Sequence, residues 1–219
     1  MQIPKGVEQA VIQGEEFWLL PEKALYWPGP QRLLVADLHF GKGTHFRKHG
    51  IPVSSEIQWQ DLQKLEALTT RFPVRQLIFL GDLFHSTHNK AWEEVRDFLL
   101  AQSFETHLVV GNHDILATEI YEECELVCHR EGWLLDGFQL EHEPMEEISG
   151  EAYVFAGHLH PGVKLAGEGL QRLRLPCFWM GEKQGILPAF GGFTGLAIIR
   201  PQVEDQVFVI VENQVVRMK

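Results

Sequence analysis

The chain has 219 residues, 45% of them hydrophobic, which is enough for one well-buried domain, and nothing in it marks a second. A net charge of −11, from 19 Lys and Arg against 30 Asp and Glu, is the wrong sign for a protein that grips nucleic acid over its whole surface. No apolar run approaches the roughly 20 residues that span a bilayer, Met1 to Lys5 lack the order of a secretory signal, and the cysteines (Cys124, Cys128, Cys177) are odd in number without a C-x-x-C, so a reduced cytoplasmic protein is expected.

In chain order, Glu8 to Ile12 and Glu15 to Leu19 read as a hairpin around Gln13-Gly14, followed by a strand that delivers Asp37. A basic run (Lys42, His45, Arg47, Lys48, His49) comes next, with a solvated loop and a phosphate-contacting patch equally open as readings. Ser55-x-x-Gln58 is a capping-box pattern, and Ile57, Leu62, Leu65, Leu68 and Phe72 recur at helical spacing. Gln76 to Leu80 predicts a strand, Trp92, Val95, Phe98 and Leu99 a second amphipathic helix, and Thr106 to Val110 a third strand; this alternation implies right-handed crossovers and a parallel core. At Asp136-Gly137 the pattern changes to a hairpin with a type I′ turn, Trp133 to Leu135 facing Phe138 to Leu140. Strands dominate thereafter: Val163 to Leu165 with Leu170 to Leu173, and Val207 to Val211 with Gln214 to Arg217. The fold class expected is α/β, with two face-packed mixed sheets flanked by helices.

Five compact apolar runs end in metal-binding side chains. Leu33 to Ala36 precedes Asp37-Leu-His39, Leu77 to Leu80 precedes Gly81-Asp82, and Leu108 to Val110 precedes Gly111-Asn112-His113-Asp114. Phe138 to Leu140 precedes Glu141-His142, and Val154 to Ala156 precedes Gly157-His158-Leu159-His160. Delivery from the carboxyl ends of neighbouring strands puts such groups in one cleft, where rigid strands hold the loops that do chemistry. Two divalent ions about 3.5–4 Å apart need hard or borderline oxygen and nitrogen donors and one carboxylate that bridges both, a demand this set meets.

The order Asp-x-His, Gly-Asp, Gly-Asn-His-Asp, His, Gly-His-x-His resembles the signature of the calcineurin-like metallophosphoesterases over Asp37 to His160. Local strings, among them Asp37-Leu-His39-Phe-Gly-Lys42-Gly, Gly81-Asp82-Leu-Phe-His85-Ser86 and Leu187-Pro-Ala-Phe-Gly191, resemble the DNA-ligase-associated metallophosphoesterases, a bacterial group of DNA damage response endonucleases. That resemblance implies a four-layer αββα sandwich over residues 1–219 and two ions, Mn²⁺ foremost. One ion would be held by Asp37, His39 and His160, the other by Asn112, His142 and His158, with Asp82 between them. A bridging hydroxide would be the nucleophile, and His113, its ring oriented by Asp114, the general acid. Lys42, Arg47 and His85 are the candidate substrate contacts. One departure is that His142 is followed by Glu143, a carboxylate that either repels an anionic substrate or points to solvent.

The leading reading is a phosphodiesterase acting on DNA in repair, in functional association with a DNA ligase, exonuclease or helicase. The alternative is a small-molecule nucleotide phosphoesterase or pyrophosphatase, which the acidic balance suits; the catalytic residues do not separate the two. The aromatic strings Cys177-Phe-Trp179 and Phe190-Gly-Gly-Phe193 read as core in preference to a platform for bases.

Overall fold

The computed structural model describes residues 2–43, 56–85, 90–166 and 172–218. Ser55, Arg47 and the rest of the basic run from residue 44, and the strand start expected at Leu170, lie outside these.

One sheet is assembled in sequence order: β1 (Glu8–Ile12), β2 (Glu15–Leu20), β3 (Ala24–Trp27), β4 (Arg32–Val35), β5 (Gln76–Leu80), β6 (Glu105–Val109) and β7 (Leu126–His129). β1 to β4 form an antiparallel meander, whereas β4 to β7 run parallel. The parallel strands are joined through α1 (Glu56–Arg71), α2 (Lys90–Leu100) and α3 (Thr118–Glu122). Alternation along each strand sorts side chains into two cores. Leu33, Val35, Leu77, Phe79 and Leu108 face the helices and pack on Leu65, Leu68, Trp92, Val95 and Tyr121. Leu34, Ala36, Ile78, Leu80 and Val109 face the other way, toward the second sheet.

That second sheet contains β8 (Trp133–Leu135), β9 (Phe138–Leu140), β10 (Tyr153–Ala156), β11 (Pro161–Ala166), β12 (Arg172–Met180), β13 (Gln184–Ile186), β14 (Ala197–Ile198), β15 (Gln206–Val211) and β16 (Gln214–Arg217). Phe17, Trp27, Phe138 and Phe155 interlock between the sheets, with ring centroids 4.9–5.2 Å apart for Phe17–Phe138, Phe17–Phe155 and Trp27–Phe138, each at a steep angle. The β8–β9 turn is the I′ hairpin expected, with Asp136 at φ 49° and Gly137 at φ 87°; the Asp136 carboxylate also reaches across to accept from Arg32 Nη1 at 2.6 Å.

The buried residues of all three described helices belong to the outer face of the first sheet. On the outer face of the second, the described residues place a small aliphatic cluster of Val163, Cys177, Val207 and Val209 where the four-layer expectation had helices. Cys177, Phe178 and Phe190 are fully buried, as core, and burial pushes the Cys177 thiol up to about 12. All three cysteines are free.

The two sheets are tied together behind the ligand loops. The chain leaving β13 returns through Leu187 to Gly191 and forms a parallel bridge from Ala189 to Ala36, after which Phe190 N donates to Ala36 O at 2.8 Å and Gly191 N to Asp37 O at 3.2 Å. A Cβ on Gly191 would lie 2.2 Å from Leu38 O, so this approach needs glycine. From α1, Lys64 Nζ donates to Phe190 O at 2.8 Å and the Asp61 carboxylate accepts from Gly192 N at 2.7 Å, pinning the segment against the site.

Candidate metal centre

All five predicted loops converge at the carboxyl ends of β4, β5, β6, β9 and β10. The first and second are laddered together, with Asp37 N donating to Gly81 O, His39 N to Asp82 O and Phe40 N to Leu83 O. The fourth and fifth meet through Gly157 N and His142 O. Turning a side chain sharply off a strand end requires unusual backbone. Asp37 (φ 54°), His39 (φ 51°), Asp82 (φ 52°), His158 (φ 64°) and His160 (φ 50°) are all left-handed. Each such residue costs on the order of 1–3 kcal/mol, strain of a kind that concentrates where function dictates geometry.

Two groups of donor atoms result. Asp37, His39 and His160 form one, and Asp82, His142 and His158 the other, each with its ligand atoms within 4.8 Å of one another. In the first, His39 Nε2 lies 3.4 Å from His160 Nε2, and His160 Nε2 lies 3.5 Å from Asp37 Oδ1. In the second, His142 Nε2 is 3.1 Å from both His158 Nδ1 and Asn112 Oδ1. The Asp82 carboxylate lies between the groups, Oδ2 at 3.7 Å from His39 Nε2 and Oδ1 at 3.4 Å from His142 Nε2.

Three observations test this set against a cation. Asp37 Oδ1 is buried and has no hydrogen-bond partner, while Oδ2 accepts from His158 N at 2.8 Å; an orphaned carboxylate oxygen in the interior calls for positive charge. The His142 ring can donate from Nδ1 to Leu80 O at 3.0 Å, which leaves the Nε2 lone pair aimed at Asn112 Oδ1 and Asp82 Oδ1, acceptors facing an acceptor. Burial, and then the charges of Lys42, His160, His85 and His113, push His39 down to about 2, so its imidazole is neutral and fit to coordinate. The residues fit two divalent ions.

Glycines make the room. A Cβ on Gly81 would sit 2.0 Å from His142 Nδ1, and one on Gly157 would sit 2.7 Å from Asp37 Oδ2.

The remaining predicted residues fall into place unevenly. His113 is half-buried at the rim, its ring 3.7 Å from that of His85 and 5.7 Å from that of His39. His85 Nδ1 faces His39 Nδ1 at 3.3 Å, so His85 joins the histidine cluster around the first group. Lys42 is half-buried; burial lowers its pKa while the Asp82 and Asp37 charges oppose that shift. Glu143 is exposed and its Oε1 lies 3.9 Å from His158 Nδ1, so it places a carboxylate beside the second group.

Asp114 departs from expectation. Its carboxylate does not orient the His113 ring: Oδ2 accepts from Asp82 N and Gly111 N, both at 2.8 Å, and Oδ1 from Phe84 N at 3.1 Å. Two of these donors, Asp82 N and Phe84 N, belong to the loop that carries Asp82 and the third, Gly111 N, to the loop of Asp114 itself, so Asp114 staples two loops of the site together. Desolvation raises its pKa to about 7 in spite of the bonds from Gly111 and Phe84. Adjacent residues on a tight turn point in different directions, so the sequence neighbour of a histidine need not be its partner. The Asp61–Lys64 clamp was missed altogether, since one acid and one base at helical i,i+3 spacing read as a solvated pair.

Residues 32–160 match the calcineurin-like phosphoesterase family, and the chain belongs to it. It is a metal-dependent phosphoester hydrolase built on two mixed sheets. Among solved structures it is similar to the Pseudomonas putida nuclease MPE, with 31% identity over 97% of this chain and 100% of that one, at a TM-score of 0.80. A protein of unknown function from Aquifex aeolicus is 20% identical over 64% of this chain and 82% of its own, with a TM-score of 0.42, too low to carry an argument. No curated protein sequence matches significantly.

Proposed function

We propose that the protein is a two-metal phosphodiesterase that cleaves DNA, an endonuclease of DNA repair working with Mn²⁺ and alongside a ligase, exonuclease or helicase. The observation that carries this reading is the pair of donor groups joined by one buried carboxylate, on a chain similar end to end to a nuclease. Asp37, His39 and His160 would hold one ion, Asn112, His142 and His158 the other, and Asp82 both. When bound, two such ions lower the pKa of a water and offset charge on the phosphoryl oxygens.

The chain's own groups do the rest. Asp82 keeps its geometry because Oδ1 accepts from His113 N at 2.9 Å and its own N–H is held by Asp114. The same contact binds the His113 backbone to the centre, so its ring stands at the rim with His85 behind it. From there an imidazole N–H delivers a proton to the departing sugar oxygen, help typically worth about 10²–10⁴-fold for a poor leaving group. Lys42, close enough to feel both Asp37 and Asp82, supplies a cation for a non-bridging phosphate oxygen. The histidine-rich donor set selects ions softer than Mg²⁺.

The test is cleavage of circular single-stranded DNA, which has no ends, by metal-depleted protein reloaded with Mn²⁺ or Mg²⁺. Linear product with Mn²⁺ and little with Mg²⁺ is expected. Intact circles beside brisk hydrolysis of dinucleoside pyrophosphates would transfer the assignment to small nucleotides, the reading that the net charge of −11 favours. Equal rescue by Mg²⁺ would remove the manganese assignment.

A further inference from the structure

A second feature of the metal edge belongs to none of the ligand loops. β11 begins at Pro161, immediately after His160, and pairs antiparallel with β12 in the register Gly162↔Pro176, Lys164↔Arg174, Ala166↔Arg172. The intervening pairs, Val163↔Leu175 and Leu165↔Leu173, point to the other side, where Val163, Leu165 and Leu175 pack with Cys177 and Val209. Period-2 alternation therefore gathers Lys164, Arg172 and Arg174 on one face.

β14 lies beside β11 in parallel, with Ile198 opposite Gly162, and Ile199 N donates to Gly162 O at 2.9 Å. Ile199 joins the aliphatic cluster, so the residues flanking it, Ile198 and Arg200, turn toward the cationic side. β14 ends at Ile198, and carrying its register on by two residues would bring Arg200 beside Lys164, which stands directly opposite Arg174; adjacent strands are about 4.8 Å apart, and Arg172 is about 7 Å further along. All four are exposed, and none has an ion pair among the described residues. Between residues 161 and 176 the sequence carries a single acid, Glu168.

The orientation of this face follows from β12. The residues in phase with Arg172 and Arg174 are Phe178 and Met180, which enter the core between the two sheets. β12 runs antiparallel to β13, which is parallel to β10, so its amino-terminal end emerges at the edge where β10 delivers His158 and His160. The cationic face thus continues the inter-sheet face past the end of the core, beside the metal centre, with Lys164 about 13 Å of extended chain from His160.

Like charges directly opposite in a sheet oppose folding, and four cations without an ion-pair partner among the described residues are, in a chain of net charge −11, a local inversion of sign. A polyanion reverses both effects. We propose that Lys164, Arg172, Arg174 and Arg200 form a backbone-tracking surface for the nucleic-acid strand that runs from the scissile phosphate, an inference that rests on the nuclease reading above. A nucleotide or a small diester reaches the metals but is too short to touch this face.

The experiment compares the wild type with the K164Q/R172Q/R174Q/R200Q and K164E/R174E variants. It follows kcat/KM on single-stranded DNA against salt, and kcat/KM on bis(p-nitrophenyl) phosphate. Loss of four phosphate contacts is expected to flatten the slope of log(kcat/KM) against log[salt] by about 3 and to lower DNA cleavage roughly tenfold or more in low salt, the charge reversal acting more strongly per site. Turnover of the aryl diester stays at the wild-type value, and the melting temperature of the glutamine variant does not fall, since relief of like-charge repulsion across Lys164 and Arg174 favours folding. An unchanged salt slope on DNA, or equal losses on both substrates, overturns the proposal. A wild-type enzyme that hydrolyses the aryl diester yet leaves DNA intact defeats the nuclease reading itself, a result distinct from either.

Discussion

Gly81→Ala is a sharp probe of the metal centre, because the perturbation enters from behind the ligands and removes none of them. Gly81 has φ 77°, and an added Cβ would stand 2.0 Å from Nδ1, 2.4 Å from Cγ and 2.8 Å from Cβ of His142. The last of these is the root of the side chain, so no rotamer change relieves the clash, and the ring must retreat by more than about 1 Å to restore ordinary contact. The costs are about 1–2 kcal/mol for a left-handed alanine, about 1–3 kcal/mol for overpacking, and the Nδ1 to Leu80 O bond at about 1 kcal/mol. Because His142 is itself a proposed ligand, metal affinity should fall by at least the 10–100-fold seen when an outer-shell partner of a ligand is lost, equivalent to about 1.4–2.7 kcal/mol. Gly14→Ala is the control: its φ is 84° and nothing lies within 4 Å of the new Cβ, so it carries the backbone cost alone. Bound metal by elemental analysis, aryl diester turnover and thermal melting are measured for both. If Gly81→Ala keeps two ions and full turnover, or if Gly14→Ala loses as much metal, the account of His142 as a ligand held in place by a missing Cβ is wrong.

Asp82→Ala should lose at least one ion and all useful turnover, since among the described residues Asp82 alone has a carboxylate within 4 Å of a histidine ligand nitrogen in each donor group; two tightly held ions with normal rates would reject the bridging role. His113→Ala should slow DNA cleavage by about 10²–10⁴-fold while barely affecting a p-nitrophenyl diester, whose leaving group needs no proton; equal losses on both would make His113 a phosphate or metal-positioning residue instead. Asp114→Ala leaves three backbone N–H groups (Asp82, Phe84, Gly111) without their acceptor, each costing about 1–3 kcal/mol, so the melting temperature should drop by many degrees. An unchanged melting temperature with a selective loss on DNA would return Asp114 to the role of partner to His113.

What was legible in the sequence follows from where periodicity and turn chemistry are strong. The β1–β2 hairpin, α1 and α2 and the Asp136-Gly137 turn carry alternation, a 3.6-residue stripe or a turn-forming residue pair, while β5, buried on both faces, was marked by a compact apolar run closed by Gly81-Asp82. β3 was not: Ala24, Leu25, Tyr26 and Trp27 are all buried, one face against each core, and a strand buried on both sides has no period to read. β14 is two residues long and exists because β11 offers it an edge, which no local pattern announces. At the site, the convergence of the candidate ligands was readable because five strand-end motifs recur together. The direction of a side chain within a tight loop was not, which is why Asp114 was assigned to its neighbour when its carboxylate serves three backbone amides.

The acidic balance of the chain, the strongest argument in the sequence against a polyanionic substrate, loses weight once charge is located and not merely counted. Asp37 and Asp82 are buried, and among the described residues only histidine nitrogens lie within ion-pair distance of their carboxylates, while two divalent ions would bring roughly +4 to that spot. Part of the remaining acid, including Glu94, Glu122, Glu123 and Glu125, lies on or beside the helices that cover the outer face of the first sheet. Salt near physiological strength screens exposed charges beyond about 8 Å, so these contribute little to a phosphate at the metal edge. What such a phosphate meets close by is the ions, Lys42 and one exposed carboxylate, Glu143, 3.9 Å from His158 Nδ1, with the cationic hairpin further along the strand's path. A protein that is negative as a whole can therefore be positive where it works, and its surplus acid limits non-specific binding elsewhere on its surface. The same reasoning gives a direction to measure: lowering ionic strength should accelerate cleavage of DNA and leave a small diester nearly unaffected, whereas a surface dominated by its net charge would repel DNA more strongly as salt is removed.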